Sequence, residues 1–224
     1  MLTLTQPQLP IELSNLPHPV SKLYIEGSDF EALMSRPRLA IVGSRKITPY
    51  GREVTESLTA SLAEKGVVII SGLAIGTDSV AHKACLDAGG HTIAVLPAGL
   101  EKIYPKQHSS LAEDIIKQGG ALVTEYGPST IPYPSNFLER NRIIAALSEG
   151  VLVTEAAVRS GSLNTASHAL SIGKPVFAVP GNINNPLAAG CNNLIKAGAI
   201  PVTCIQDVLD ELGWVQTKAN RLPL

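Results

Sequence analysis

The stretch Leu39-Ala40-Ile41-Val42-Gly43-Ser44-Arg45 decides the fold, because an apolar run leads straight into a glycine turn that carries an arginine. A helix is predicted directly after it, over residues 49–64, and Gly66 ends that helix. A second apolar run, residues 67–70, follows and also stops at a glycine, Gly72. Two unbroken apolar strands joined by a helix indicate a parallel β-α-β unit whose sheet is buried on both faces.

The same alternation continues along the chain. Four further apolar runs predict strands over residues 92–96, 121–124, 151–153 and 175–179. Helices are predicted between and after them, over residues 77–88, 109–118, 136–147, 162–172, 193–197 and 205–212. The pattern therefore predicts an α/β fold with a doubly wound, mainly parallel sheet and helices on both faces. Aromatic residues make up only 4% of the chain, so the core must be mainly aliphatic.

The regular alternation does not cover the whole chain. Residues 1–35 are proline-rich, and Pro17 and Pro19 would break a helix there. We interpret these residues as an N-terminal arm packed on the main domain, with a short strand at residues 23–25. Residues 36–214 are predicted to form the main domain, and residues 215–224 a C-terminal tail. A length of 224 residues fits one large domain of this kind.

Composition excludes several classes of protein. The net charge of −1 argues against a protein whose whole surface is positively charged, but it does not exclude a local basic patch. The three cysteines form no C-x-x-C pair, so neither a zinc site nor a disulfide framework is indicated, and no metal is expected. The N-terminus lacks the features of a signal peptide, and no apolar run approaches the ~20 residues that span a bilayer. We expect a cytoplasmic protein with no membrane partner.

Ligands of such sheets bind beyond the carboxyl ends of the strands. Glycine turns stand at several predicted strand ends, and a turn that opens a helix points free N–H groups outward. One such turn is weak evidence, since every β-α unit needs one. Several turns on one edge, joined by basic side chains, predict an anion-binding site that includes Gly43, Ser44, Arg45, Gly72, Lys106, Gly161 and Ser162.

Familiar catalytic and nucleotide-binding motifs are missing from the sequence. There is no G-x-x-x-x-G-K-[ST] motif, and the first turn is not G-x-G-x-x-G, which disfavours a P-loop ATPase and a dinucleotide cofactor. No catalytic residue and no cofactor are predicted. Glu155 follows a strand and is either a base, a cap of the following turn or a partner for an arginine. Asp78 and His82 have the i,i+4 spacing of a hydrogen-bonded pair on a helix.

The predicted helix over residues 136–147 carries an unusual run, Arg140-Asn141-Arg142. Adjacent residues on a helix point in different directions, so one guanidinium can reach the strand-end rim while the other faces protein or solvent. The alternative interpretation is ordinary helix-surface charge with ion pairing to a nearby glutamate. We include all three residues among the candidate phosphate-binding residues.

These motifs together resemble the DNA-processing protein A family, also called Smf. The matching residues run from about Leu16 to Gly213. In chain order they are Ala40–Arg45, Ser71–Ala74, Gly76, Asp78, Ala81, His82, Tyr104–Lys106, Asn136-Phe137, Arg140–Ala145, Gly161–Leu163, Thr165-Ala166, Val176–Gly181, Gly190 and Asn192.

The resemblance implies a Rossmann-like domain that binds single-stranded DNA and delivers it to a RecA-type recombinase. The implied context is DNA uptake, natural transformation and recombination, and the implied assembly is a homodimer. The family's basic pocket falls on Gly43, Ser44, Arg45 and Lys106, with Arg140 and Arg142. Three aromatic residues are candidates for stacking on bases, Tyr104, Tyr133 and Phe137.

The length of the chain qualifies the resemblance, and two alternative functions stay open. Many members carry an N-terminal helical domain and some a C-terminal winged helix, and this length leaves room for neither, so we expect a minimal version. The alternatives are a sensor of small nucleotides and a nucleotide phosphoribohydrolase-like enzyme. That enzyme uses a Gly-Gly-x-Gly-Thr-x-x-Glu stretch, whereas residues 155–165 lack both the double glycine and the downstream glutamate.

Overall fold

A nine-stranded sheet runs through the part of the chain that the computed structural model describes, residues 1–27 and 29–214. The strands are β1 Leu2–Thr5, β2 Lys22–Gly27, β3 Arg38–Val42, β4 Val68–Ser71, β5 Thr92–Val95, β6 Ala121–Thr124, β7 Gly150–Val153, β8 Val176–Ala178 and β9 Ile200–Pro201. The helices are α1 Ile11–Ser14, α2 Phe30–Met34, α3 Pro49–Glu64, α4 Thr77–Asp87, α5 Ser109–Lys117, α6 Pro134–Leu147, α7 Gly161–Ser171, α8 Ala189–Lys196 and α9 Ile205–Glu211. The predicted tail, residues 215–224, lies outside the described residues.

Strand order confirms the doubly wound, mainly parallel sheet. The order is β1-β2-β6-β5-β4-β3-β7-β8-β9, and the seven strands from β3 to β9 run parallel to one another. The chain moves outward from β3 through β4 and β5 to β6, and then returns to the other side of β3 with β7. The carboxyl ends of β3 and β7 therefore flank a topological switch point, where open α/β sheets form a crevice.

Aliphatic side chains bury the sheet on both faces, as the low aromatic content predicts. Alternate strand residues such as Val42 and Val153 belong to one cluster, whereas Ile41 and Leu152 belong to another beneath α3 and α9. All four are at most 3% exposed. Full burial of each such side chain contributes roughly 1.5–3 kcal/mol, so the strands form a firm platform for the loops at their ends.

The N-terminal segment extends the same sheet. Strand β2 contains the short strand expected at residues 23–25, and it pairs antiparallel with both β1 and β6. No sequence pattern predicted β1. Leu9, Leu13 and Leu16 of this segment are buried in the cluster that also covers the central strands. The division between residues 1–35 and 36–214 stays a prediction about domain organisation.

Local sequence signals set the bounds of α3, which were predicted correctly. Thr48 caps the helix, because its hydroxyl accepts a hydrogen bond from the Gly51 N–H at 3.0 Å, and Pro49 occupies the first helical position. Gly66 follows the helix with a φ of 83°, a conformation that favours glycine. Among residues 1–27 and 29–214, no helix is both long and apolar enough to cross a membrane.

Candidate functional site

A cleft of about 640 Å³ lies at the switch point. The loop after β3, the loop between β7 and α7, and the first turns of α6 form its walls. Tyr104 and Leu187 reach it from the loops after β5 and β8. Most of the cleft therefore lies where the topology of an open sheet places a ligand.

The loop after β3 is packed so closely that its first residue must be glycine. A Cβ atom on Gly43 would lie 2.4 Å from Thr77 Oγ1 and 2.9 Å from the carbonyl oxygen of Glu155. Ser44 is buried, its carbonyl accepts a hydrogen bond from the Thr77 N–H at 3.1 Å, and its hydroxyl accepts one from the Lys46 N–H at 3.0 Å. These contacts fix the loop while leaving the side chains of Arg45 and Lys46 exposed at the rim.

Arg45 lies over an aromatic ring. Its Cζ atom is 5.1 Å from the centroid of the Phe137 ring, a cation–π distance. Tyr104 packs edge-on against the same ring, with 5.4 Å between the centroids. Among the described residues no carboxylate lies within 4.0 Å of Arg45, and none accepts a hydrogen bond from its guanidinium. The cation is held in place with its N–H groups available to a ligand.

The N-terminus of α7 forms the opposite wall. The Ser160 hydroxyl accepts a hydrogen bond from the Ser162 N–H at 3.3 Å and caps the helix. Gly161 has open space at its Cβ position, so this glycine allows a ligand to approach the backbone. Asn141 donates from its amide to the Gly161 carbonyl at 3.2 Å and to Asn164 Oδ1 at 3.1 Å. Asn141 therefore positions the loop, and the positive end of the helix dipole faces the cleft.

Arg140 lies beneath the cleft and is 3% exposed. Its guanidinium donates to the carbonyls of Gly72, at 2.7 Å, and Val95. A Cβ on Gly72 would lie 2.3 Å from Arg140 Nη1, so a side chain there would displace the guanidinium from its carbonyl partners. Burial lowers the pKa of Arg140 to about 10, and burial raises the pKa of Asp78 although the charge of Arg140 opposes that rise. Arg140 thus links two strand ends and adds positive charge behind the rim.

The candidate residues predicted from sequence divide into two groups. Seven of them line the cleft, namely Gly43, Ser44, Arg45, Arg140, Asn141, Gly161 and Ser162. Gly72 is buried behind Arg140, and Lys106 lies exposed in the short 3₁₀ turn Lys106–His108, outside the lining. Arg142 points elsewhere and forms an ion pair with Glu125 at 2.5 Å. The phosphate-binding role of every one of these residues stays a prediction.

Other residues of the cleft were missed or interpreted differently. Lys46 lines the rim, and its position next to Arg45 in the glycine loop was the available signal. Glu155 is 2% exposed and accepts hydrogen bonds from the Thr48 N–H at 2.8 Å and the Thr48 hydroxyl at 2.7 Å. Glu155 therefore fixes the start of α3. Among the described residues it has no arginine partner, and its carboxylate is not free to face the cleft.

The predicted pairing of Asp78 with His82 is wrong. Asp78 Oδ2 accepts from the N–H groups of Gly72 at 3.2 Å and Ala74 at 3.3 Å. His82 Nδ1 instead pairs with Thr92 Oγ1 at 2.7 Å. Both residues are buried on α4, and each fixes a different strand end.

The model of the family described as DNA recombination-mediator protein A matches residues 1–213. Protein Smf of Escherichia coli is 50% identical over 190 residues, which cover 85% of this chain and 50% of that protein. The chain thus spans half the length of this relative.

Two solved structures share the fold and much of the sequence. The DNA processing protein A of Streptococcus pneumoniae superposes with a TM-score of 0.87 at 42% identity, covering 94% of this chain and 74% of that one. That of Helicobacter pylori, whose structure is described as showing a unique single-stranded DNA binding mode, gives a TM-score of 0.84 at 34% identity, covering 95% and 96%. The chain belongs to the DNA recombination-mediator protein A family.

Proposed function

We propose that this chain binds single-stranded DNA in the cleft at the switch point. The observation that carries the proposal is Arg45, an exposed guanidinium held over Phe137 with no carboxylate of the described residues within 4.0 Å. A free guanidinium can donate two parallel hydrogen bonds to one phosphate. Because Arg45 lines the cleft just after β3, we expect that phosphate to lie at the mouth of the cleft.

The other residues at the rim of the cleft favour a path for the DNA backbone through it. Lys46 adds a second exposed cation, and the N-terminus of α7 offers the Gly161 N–H and a favourable dipole to a second phosphate. Tyr104 and Phe137 provide apolar ring surface beside the cations, the combination that single-strand binding proteins use for bases. The Helicobacter pylori relative, described as binding single-stranded DNA, supports the same ligand for this chain.

Membership of the family supports a wider proposal. We infer that the chain delivers single-stranded DNA to a RecA-type recombinase during natural transformation and recombination, and that it acts in the cytoplasm as a homodimer. We also infer a binding protein rather than an enzyme. The buried Glu155 carboxylate is occupied by Thr48, so it is not placed to act on a nucleotide in the cleft.

The test is the affinity for an oligothymidine strand, measured by fluorescence anisotropy at fixed salt for the wild type and Arg45→Ala. We expect a loss of about 10- to 150-fold, because a hydrogen-bonded charged contact contributes roughly 1.5–3 kcal/mol. Arg52→Ala is the matched control, since it removes the same charge from an exposed residue that pairs with Glu56 and lies outside the cleft. It should bind like the wild type.

A duplex of the same length completes the design. The cleft is recessed, and no helix or ribbon of the described residues projects from it to enter a groove, so the duplex should bind more weakly at matched salt. Equal affinity for duplex and single strand, or equal losses in Arg45→Ala and Arg52→Ala, would contradict the proposal.

A further inference from the structure

A second groove of about 510 Å³ lies beside the cleft. It is lined by Tyr50 in the first turn of α3 and by the loop after β8, through Pro180, Gly181, Asn182 and Asn185. None of the residues identified above as candidate phosphate ligands belongs to it.

Two segments of the chain each reach both the groove and the cleft. Residues 42–46 line the cleft and Tyr50 lines the groove, while Leu187 lines the cleft and Asn185 the groove. The Glu155 carboxylate joins the two loops between these sites, because it accepts from Thr48 on one side and from the Asn185 amide, at 3.4 Å, on the other. A single strand of DNA that leaves the cleft between these two loops enters the groove directly.

The chemistry of the groove suits a base and not a phosphate. Within residues 1–27 and 29–214, no charged residue lines it. Tyr50 is 48% exposed, and its hydroxyl donates to the Pro180 carbonyl at 3.1 Å, which fixes the orientation of the ring. Asn182 Oδ1 accepts from the Asn184 N–H at 2.9 Å, and the Asn182 amide nitrogen donates to none of the described residues. A fixed aromatic ring beside a free amide donor is a combination that accepts a nucleobase.

We propose that this groove is a second nucleobase subsite, which holds a base of the nucleotides that continue beyond the cleft. The base stacks on Tyr50, and one of its carbonyl oxygens accepts a hydrogen bond from the Asn182 amide. The inference rests on the proposed function, because it assigns the same ligand a path from the rim at Arg45 to the groove at Tyr50.

The test is a length series of oligothymidines, from three to twenty nucleotides, with wild type, Tyr50→Ala and Tyr50→Phe. Strands that reach the groove should bind Tyr50→Ala roughly 5- to 150-fold more weakly, the range for losing one base–aromatic stack. The shortest strands, which fill only the cleft, should bind Tyr50→Ala like the wild type. Tyr50→Phe keeps the ring and loses the hydrogen bond to Pro180, so it should keep most of the affinity for long strands.

Failure of the subsite is distinguishable from failure of the proposed function. Equal binding of Tyr50→Ala and wild type at every length, while Arg45→Ala still loses affinity, would overturn the subsite alone. Equal losses in Tyr50→Ala and Tyr50→Phe, or a loss for Tyr50→Ala that does not depend on length, would also overturn it, because the role would then be structural. A wild type that binds no oligothymidine overturns the proposed function itself.

Discussion

Arg45 and Arg140 stand at the same cleft and are held in opposite ways. Arg45 is exposed, touches an aromatic ring and donates no hydrogen bond to the described residues. Arg140 is 3% exposed and donates to two backbone carbonyls from neighbouring strand ends. The first guanidinium is available to a ligand, whereas the second is already used by the fold.

The difference shows how one residue type serves two purposes at a strand end. The two carbonyls that accept from Arg140 belong to Gly72 and Val95, and both lie beneath the cleft, where water cannot replace a lost donor. Removing Arg140 should therefore lower the free energy of unfolding, whereas removing Arg45 should lower only the affinity for the ligand. Arg140→Met and Arg45→Met test this contrast directly.

The largest expected effect is on stability, in Arg140→Met. This variant leaves two buried carbonyls without a donor and removes the cation whose charge most lowers the pKa of the buried Asp78 carboxyl. Breaking a buried charged network costs about 3–5 kcal/mol, and urea unfolding should show a loss of that size. Arg45→Met is the matched control and should unfold like the wild type. Similar stability of the two variants would remove the distinction.

The second expected effect is a dependence of stability on pH that comes from His82, which is buried on α4. Burial first, and then the charges of His108 and Arg140, lower its pKa to about 3 in the folded protein, against 6.5 unfolded. The unfolded state therefore binds an additional proton between these values. The free energy of unfolding should fall as pH falls below 6.5, by up to about 1.4 kcal/mol per pH unit.

His82→Gln removes this contribution and keeps a group that can pair with Thr92. Urea unfolding at pH 7, 5.5 and 4.5 should show a shallower decline for the variant than for the wild type. Parallel declines for the two proteins would mean that His82 is protonated as readily in the folded state as in the unfolded one.

A smaller loss of stability is expected for Arg142→Met, because the ion pair of Arg142 with Glu125 is only partly buried. The Arg142 side chain is 12% exposed, and the Glu125 side chain is 18% exposed. The uncompensated Glu125 carboxylate should cost about 1–3 kcal/mol. Burial raises the pKa of Glu125 and the charge of Arg142 opposes the rise, so the double variant with Glu125→Gln should recover part of the loss. Affinity for single-stranded DNA per folded molecule should not change, and a drop of tenfold would show that Arg142 contacts the ligand.

Much of the fold could be predicted from sequence because its signals are local. The cap at Thr48, Pro49 and the glycine at residue 66 fix α3, and continuous aliphatic runs mark the central strands. Strand β1 was missed, since it has four residues at the sheet edge and only partial burial to impose a pattern. Strand order is set by long-range packing, so the switch point beside β3 could not be derived from any one segment.

The candidate site was predictable to the level of its loops. The glycine turn at residues 43–45 and the turn at residues 160–162 meet at the cleft as expected. Which guanidinium of α6 is fully buried depends on how that helix crosses the sheet, and only two positions separate Arg140 from Arg142. The contact of Arg45 with Phe137 joins residues 92 positions apart, and no local pattern encodes it.

The smallest expected change, and the most direct test, is in the salt dependence of binding by Arg45→Ala. The affinity of wild type and variant for one oligothymidine should be measured across a series of salt concentrations, with the free energy of unfolding of both proteins alongside. Loss of one phosphate contact should flatten the log–log slope by about 0.7, and stability should change by less than about 0.5 kcal/mol. An unchanged slope, or lost stability with unchanged binding per folded molecule, would show that Arg45 belongs to the scaffold and not to the ligand site.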